Sequence, residues 1–212
     1  MRCFAPYLVN KLVKMRIIFI FNLLVLCACN AQVKNDIHVI QNENSSYQVD
    51  SSKTLKEIVS SRKISKKDLK ILVKKSERVV EVLYKDELLI AYPCVLGFDP
   101  IGDKMQEGDG KTPEGLFKIK AMYPHRSWSY FIWFDYPNEI SYQRFKERKA
   151  NKTISQAAAI GGQVGFHGVP EKNDEIIEKK IDWTLGCISL STKDITDLYQ
   201  SIGLETTIEI RK

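Results

Sequence analysis

From Val79 onward the apolar residues fall in short runs of strand length, each ended by glycine, proline or aspartate. Val79, Val80, Val82 and Leu83 make the first run, Lys85-Asp86 a turn, and Leu88 to Val95 a second run. Together they predict an antiparallel hairpin. Gly97 to Gly115 is dense in glycine, aspartate and proline and reads as a long ordered loop. Leu116 to Lys120 alternates as a strand, and Ser129 to Asp135 is an aromatic strand assigned to core packing. Val164 to His167 and Thr206 to Ile210 supply two more strands. Helix is expected only in short pieces: one or two within 54–75, the second capped by Ser65, then Tyr142 to Ala150, Ser155 to Ile160, and Thr192 to Ser201. Ser191 caps the last of these, with Asp194 at the third helical position. Residues 171–185 read as a charged loop. The pattern defines one mainly β domain over 76–212, led in by a short helical segment at 54–75 and large enough for a real core.

Ahead of the domain lies a different kind of sequence. Lys11, Lys14 and Arg16 precede or open an apolar run, Ile17 to Leu26, with no acid among them. The apolar core is roughly 10–12 residues, short of the ~20 that a membrane-crossing helix needs, and it ends in small residues, as an export signal does. Its end, Leu26-Cys27-Ala28-Cys29, resembles a bacterial lipoprotein signal. In that class the last cysteine is diacylated and becomes the new N-terminus, which here would be Cys29. Residues 1–28 are thus expected to be a signal peptide, with Met15 as an alternative start. Residues 29–53, rich in Asn, Gln, Ser and charge, would be a flexible tether. The expected location is the periplasm, with the chain held on a membrane by its N-terminal lipid.

Removing residues 1–28 takes away four basic side chains (Arg2, Lys11, Lys14 and Arg16) and no acid, so the formal charge falls from +6 to +2. A nearly balanced domain offers no electrostatic footprint for nucleic acid, and the basic stretch Arg62 to Lys70 reads as a solvated helix face. After processing, only Cys29, Cys94 and Cys187 remain. Cys94 lies in an apolar strand and reads as a small buried hydrophobe. No Cys-x-x-Cys pair, zinc-spaced Cys/His cluster, phosphate loop or dinucleotide-binding glycine pattern occurs. Neither metal nor cofactor is expected, and the protein is read as a monomer.

Chemistry is concentrated in two places. Cys187 sits in Asp182-Trp183-Thr184-Leu185-Gly186-Cys187-Ile188-Ser189, and His167 sits twenty residues upstream in Gly165-Phe166-His167-Gly168. A cysteine becomes a strong nucleophile when an imidazole at hydrogen-bond distance takes its proton, so the pair proposes acyl transfer. Glycines beside both residues let backbone N–H groups approach a developing oxyanion. The N–H of Cys187, with that of Gly186 or Leu185, is the expected oxyanion hole, and Gly168 is a further backbone candidate. Asp182 is weighed as a third member of the site.

Three separated segments together resemble the L,D-transpeptidase catalytic domain family, the YkuD-type domain, over roughly 77–211. The first is Val95 to Lys104 followed by Glu107 to Gly115, which contains Thr112-Pro113-Glu114-Gly115. The second is Gly165-Phe166-His167-Gly168, and the third is Gly186-Cys187-Ile188. The resemblance implies a sandwich-like β fold with a few short helices. It implies a cysteine acyltransferase that acts on peptidoglycan stem peptides, with Cys187 as nucleophile and His167 as general base. Members form an acyl-enzyme at the third stem residue, meso-diaminopimelate or its equivalent, and pass it to an amine, giving a 3-3 crosslink or an attached protein. A backbone carbonyl often orients the histidine; here the bearer would lie in 168–170 or 182–186.

Two positions depart from the family pattern. Many members read Ser-His-Gly-Cys and carry an arginine two residues after the cysteine; here these are Thr184-Leu185-Gly186-Cys187 and Ser189. The arginine would clamp a donor carboxylate. Its absence leaves open a cysteine amidase or carboxypeptidase that hydrolyses wall-linked amides, and a wall-binding lipoprotein without catalysis. Lys104, Lys111 and Arg126 are candidates to replace the clamp. Trp183, Ser189 and Tyr130, with Trp128 and His125, are candidates to line the cleft.

Overall fold

The computed structural model describes residues 52–212. The signal segment, Cys29 and all but the last two residues of the tether lie outside the described residues. The described residues form eight strands: β1 (Leu69–Lys74), β2 (Val79–Tyr84), β3 (Glu87–Val95), β4 (Gly115–His125), β5 (Ser129–Phe134), β6 (Gly165–Gly168), β7 (Ile188–Leu190) and β8 (Thr207–Arg211). They close into one barrel in the order β1-β2-β3-β7-β6-β5-β4-β8.

This corrects the sandwich-like fold that the resemblance implied, and the strand that closes the sheet is β1. Leu69, Ile71 and Leu72 read as helix in the sequence, because a strand buried on both faces shows an almost unbroken apolar run. In the fold only the three-residue turn Lys66–Asp68 after Ser65 is helical, of the 3-10 type. The strand that follows is buried at five of its six positions. It pairs antiparallel with β2 and parallel with β8, whose other edge pairs with β4. Without β1 the sheet would end in two open edges, at β2 and β8; with it no edge remains.

The interior is filled by side chains from alternate strand positions, among them Ile71, Val80, Phe134, Phe166, Ile188 and Ile208, all fully buried. Each is worth about 1.5–3 kcal/mol of burial. Among the described residues four α-helices complete the domain: α1 (Leu55–Ser61), α2 (Glu139–Ala150), α3 (Glu175–Glu178) and α4 (Thr192–Ser201). Helix α4 begins as expected, with the Ser191 side chain accepting the Asp194 N–H at 3.1 Å, and buries Ile195 and Leu198. Its Asp197 accepts the N–H groups of Leu55 and Lys56 and the Tyr92 hydroxyl, which ties the lead-in helix α1 to the barrel. Residues 155–160 form turns instead of a helix, and α3 interrupts the expected loop at 171–185. No helix of the described residues is long and apolar enough to cross a membrane.

Candidate active site

β6 and β7 are neighbours and run parallel, with Phe166 opposite Ile188 and His167 opposite Ser189. Cys187 immediately precedes β7. The two residues singled out by the sequence therefore stand two register positions apart on adjacent strands. Parallel pairing is what permits this: both segments arrive at the same end of the barrel with the same direction.

Around His167 a row of side chains runs across five strands. Val95 faces Ser189, Ser189 faces His167, His167 faces Phe131, and Phe131 faces Tyr123. These positions alternate with the core positions Cys94, Leu190, Phe166 and Ile132, so the row lies on the other face of the sheet. There Val95, Val169 and Ile177 form a second small apolar cluster, joined by Trp183. The His167 ring is 4.5 Å from that of Trp128, stacks with Phe131 at 6.1 Å and meets Trp183 edge-on at 5.5 Å.

His167 Nδ1 is 2.8 Å from the Gly168 carbonyl oxygen. A carbonyl only accepts, so Nδ1 carries the proton and Nε2 keeps its lone pair. Gly168 is thus the bearer that the sequence left open between two segments. Burial pushes the imidazole down to about 4, against the hydrogen bond to Gly168 and with a small contribution from His125. The ring is therefore neutral across the physiological range.

Cys187 is half-buried, and its thiol points to the Gln163 carbonyl at 3.7 Å. Burial pushes the thiol up to about 11, opposed by the Gly165 N–H and the Lys104 ammonium. Among the described residues no hydrogen bond joins it to His167, contrary to the contact expected from sequence. The resting pair is a neutral thiol and a neutral imidazole, not a thiolate–imidazolium ion pair. Loose catalytic hydrogen bonds are common in unliganded sites and tighten when substrate arrives.

The turn before Cys187 is built by Thr184, which sequence reasoning passed over. Its hydroxyl accepts the Gly186 N–H at 3.1 Å and donates to the Cys187 carbonyl at 2.7 Å. Its own N–H and carbonyl bond Leu96 and Phe98. A threonine two residues before a glycine is a recognisable turn signal. Gly186 takes φ +138°, and a Cβ there would stand 2.7 Å from the Lys111 carbonyl oxygen. Asp182, weighed as a third member, has its partners elsewhere. Its carboxylate takes two nitrogens of Arg78, at 3.1 and 2.5 Å, and the Leu96 N–H at 2.8 Å, so it anchors the turn.

Against this turn lies the segment 97–114. The Thr112 hydroxyl accepts the Gly97 N–H at 3.1 Å. Buried Lys75 donates to the carbonyls of Gly102 and Thr112 and to the Glu114 carboxylate. Nothing in the sequence marked Lys75, because its partners lie far along the chain. From outside, Arg148 of α2 bonds the Asp103 carboxylate at 2.6 Å.

Several candidates are placed otherwise than expected. The Gly186 N–H is taken by Thr184 and the Gly168 N–H by Trp128, at 3.0 Å, so neither is free for an oxyanion. Leu185, by contrast, is 73% exposed. Ser189 is fully buried between its row neighbours, and its hydroxyl has no partner among the described residues. Tyr130 points to the opposite face and stacks on Tyr199 of α4 at 4.1 Å. Lys104 is 4% exposed and bonds Asp109 at 2.7 Å; Lys111 bonds Asp99 at 2.7 Å and the Ile101 carbonyl at 2.6 Å. Arg126 is exposed at the tip between β4 and β5. Among the described residues no cluster of His, Cys, Asp or Glu could hold a metal ion.

The YkuD family model, described as the L,D-transpeptidase catalytic domain, matches residues 68–210. Among solved structures, the helical cell shape determining protein Pgp2 from Campylobacter jejuni is 20% identical with a TM-score of 0.51, over 74% of this chain and 55% of that one. Bd1075 from Bdellovibrio bacteriovorus is 22% identical with a TM-score of 0.48, over 68% of this chain and 48% of its own. L,D-transpeptidase 3 from Mycobacterium tuberculosis is 11% identical with a TM-score of 0.46, over 68% of this chain and 61% of that one. The chain therefore spans roughly half to three fifths of the length of these structures. No curated protein matches it significantly.

Proposed function

The chain belongs to the L,D-transpeptidase catalytic domain family, and on that premise we propose that it is a cysteine acyltransferase of peptidoglycan stem peptides. The observation that carries this reading is the tautomer of His167. Its Nδ1 proton is held by Gly168, which leaves Nε2 as a base one strand away from Cys187.

The Cys187 sulfur attacks the carbonyl carbon of the third stem residue while its proton passes to His167 Nε2. The oxyanion is received by backbone N–H groups, for which Leu185 and Cys187 are the remaining donors. The C–N bond then breaks, and the leaving amine, D-alanine in a tetrapeptide stem, takes the proton from the imidazolium. An amine acceptor attacks the thioester, forms the new amide and returns the thiol. Because both partners rest neutral, the proton moves during attack and general-base catalysis carries the step.

The donor carboxylate needs a partner, since an unpaired charge in a cleft is costly. With Lys104 and Lys111 paired to aspartates, Arg126 is the proposed clamp, on the turn that carries Trp128. The proposed setting is the periplasmic side of the envelope, with Cys29 lipidated. Intact mass of the membrane-bound form tests that directly, and an unmodified N-terminus refutes it.

The test of function is the product made from a disaccharide-tetrapeptide. Release of D-alanine with a 3-3 crosslinked dimer supports transfer to an amine. A shortened peptide alone indicates an amidase or carboxypeptidase. Binding to sacculi with no product indicates a non-catalytic wall lipoprotein. Cys187→Ala should give neither dimer nor shortened peptide.

A further inference from the structure

Trp128 meets the His167 segment twice. Its indole lies along the imidazole, with ring centroids 4.5 Å apart and 27° between the planes. Its carbonyl accepts the Gly168 N–H at 3.0 Å, and the Gly168 carbonyl in turn holds His167 Nδ1. The same Trp128 carbonyl accepts the Tyr130 N–H at 2.7 Å, which fixes the turn between β4 and β5. A Cβ at Gly168 would stand 2.6 Å from that oxygen, so the close approach requires glycine. On the far side of the indole, His125 stacks at 4.3 Å and 12°. Its Nδ1 accepts the Ser127 N–H at 3.2 Å, which holds the second imidazole in place.

We propose that Trp128 is a positioning residue for His167, and that it acts through both contacts at once. The ring sets the plane of the imidazole. The carbonyl, through Gly168, sets the oxygen to which the Nδ1 proton is bound, so the lone pair stays on Nε2. His125 backs the indole and keeps it against His167. The two candidate catalytic residues lie on β6 and just before β7, yet the alignment of His167 is set from the β4–β5 tip, about forty residues upstream. The proposal rests on the reading of His167 as the base.

Nitrogen-15 NMR of histidine-labelled protein at neutral pH reads the tautomer, and steady-state kinetics reads its consequence. The parent should show His167 protonated at Nδ1 alone. Trp128→Leu, which keeps apolar volume without the ring, should give mixed tautomers and lower kcat about tenfold to a hundredfold, with KM changed less than threefold. Trp128→Phe should restore most of both. An Nε2-protonated parent overturns the proposal whatever the variants do. So does a folded Trp128→Leu protein with the parent's tautomer and a kcat within twofold. His167→Gln, run in parallel, separates the two readings. If it keeps full activity, the base assignment fails; if it is inactive while Trp128→Leu is normal, only the positioning role fails.

Discussion

The Nδ1 of His167 and the carbonyl oxygen of Gly168 are 2.8 Å apart, and this single contact fixes which nitrogen of the site can take a proton. The residue that orients the imidazole is its own chain neighbour. No carboxylate takes part in that contact, and Asp182 instead anchors the turn before Cys187 through Arg78 and the Leu96 N–H.

The acid limb of the pH profile follows from the burial of His167. Its imidazole is pushed down to about 4, so the base is neutral above that value and protonated below it. The account predicts that kcat/KM stays level from pH 7 to about 5 and falls with a midpoint near 4, not near the ordinary histidine value of about 6.5. A midpoint above 6 in a kcat/KM series with folded protein would refute the assignment.

Alkylation distinguishes the two described cysteines. Cys94 is 1% exposed and its thiol is pushed well above the usual range by burial, while Cys187 is half-buried and pushed up to about 11. Only the thiolate reacts, so iodoacetamide should label Cys187 slowly at pH 7, about tenfold faster per pH unit up to about pH 10, and Cys94 hardly at all. Fast, pH-independent labelling near neutrality would mean a resting ion pair and contradict the geometry.

Asp182→Ala removes the partner of a part-buried Arg78 and the acceptor of the Leu96 N–H. Loss of one member of such a pair costs about 3 kcal/mol. Thermal or denaturant unfolding should show that loss, with kcat of the folded fraction lowered less than tenfold. A fall of a thousandfold in kcat at unchanged stability would restore Asp182 to the catalytic group.

Arg126→Ala should cost a tetrapeptide donor its preference over its C-terminal amide. The parent should favour the free acid about tenfold or more, because a guanidinium–carboxylate contact is bidentate and charge-assisted. Competition between the two donors reads this directly. A parent indifferent to the amide has no clamp at all.

Much of this was legible in the sequence, and the exceptions have physical causes. Six of the eight strand regions carried a strand signal, as did the capped helix at Ser191, while the three-residue β7 beside Cys187 is too short to show a period. The other strand without a signal, Leu69–Lys74, is buried on both faces, so its apolar run has no period of two to read and passed for helix, although it is the strand that closes the barrel. Cys187 and His167 were visible because their glycine settings are rare in so short a stretch. Gly165, Gly168 and Gly186 earn those settings by close backbone approach. The fates of Lys104, Lys111 and Ser189 were not legible, because exposure is decided by pairing across the fold: Lys104 meets Asp109 under the loop, and Ser189 faces both His167 and Val95. Trp128 was visible as an aromatic near the site, but its hold on Gly168 depends on a turn geometry that residue type does not reveal.

The most direct measurement is the covalent intermediate. Parent protein mixed with a tetrapeptide stem and quenched within seconds should gain the mass of the acyl tripeptide, and peptide mapping should place it as a thioester on Cys187. His167→Gln should accumulate far less, and Cys187→Ala none. An adduct on another residue, or turnover of the stem by Cys187→Ala at the parent's rate, would contradict the account.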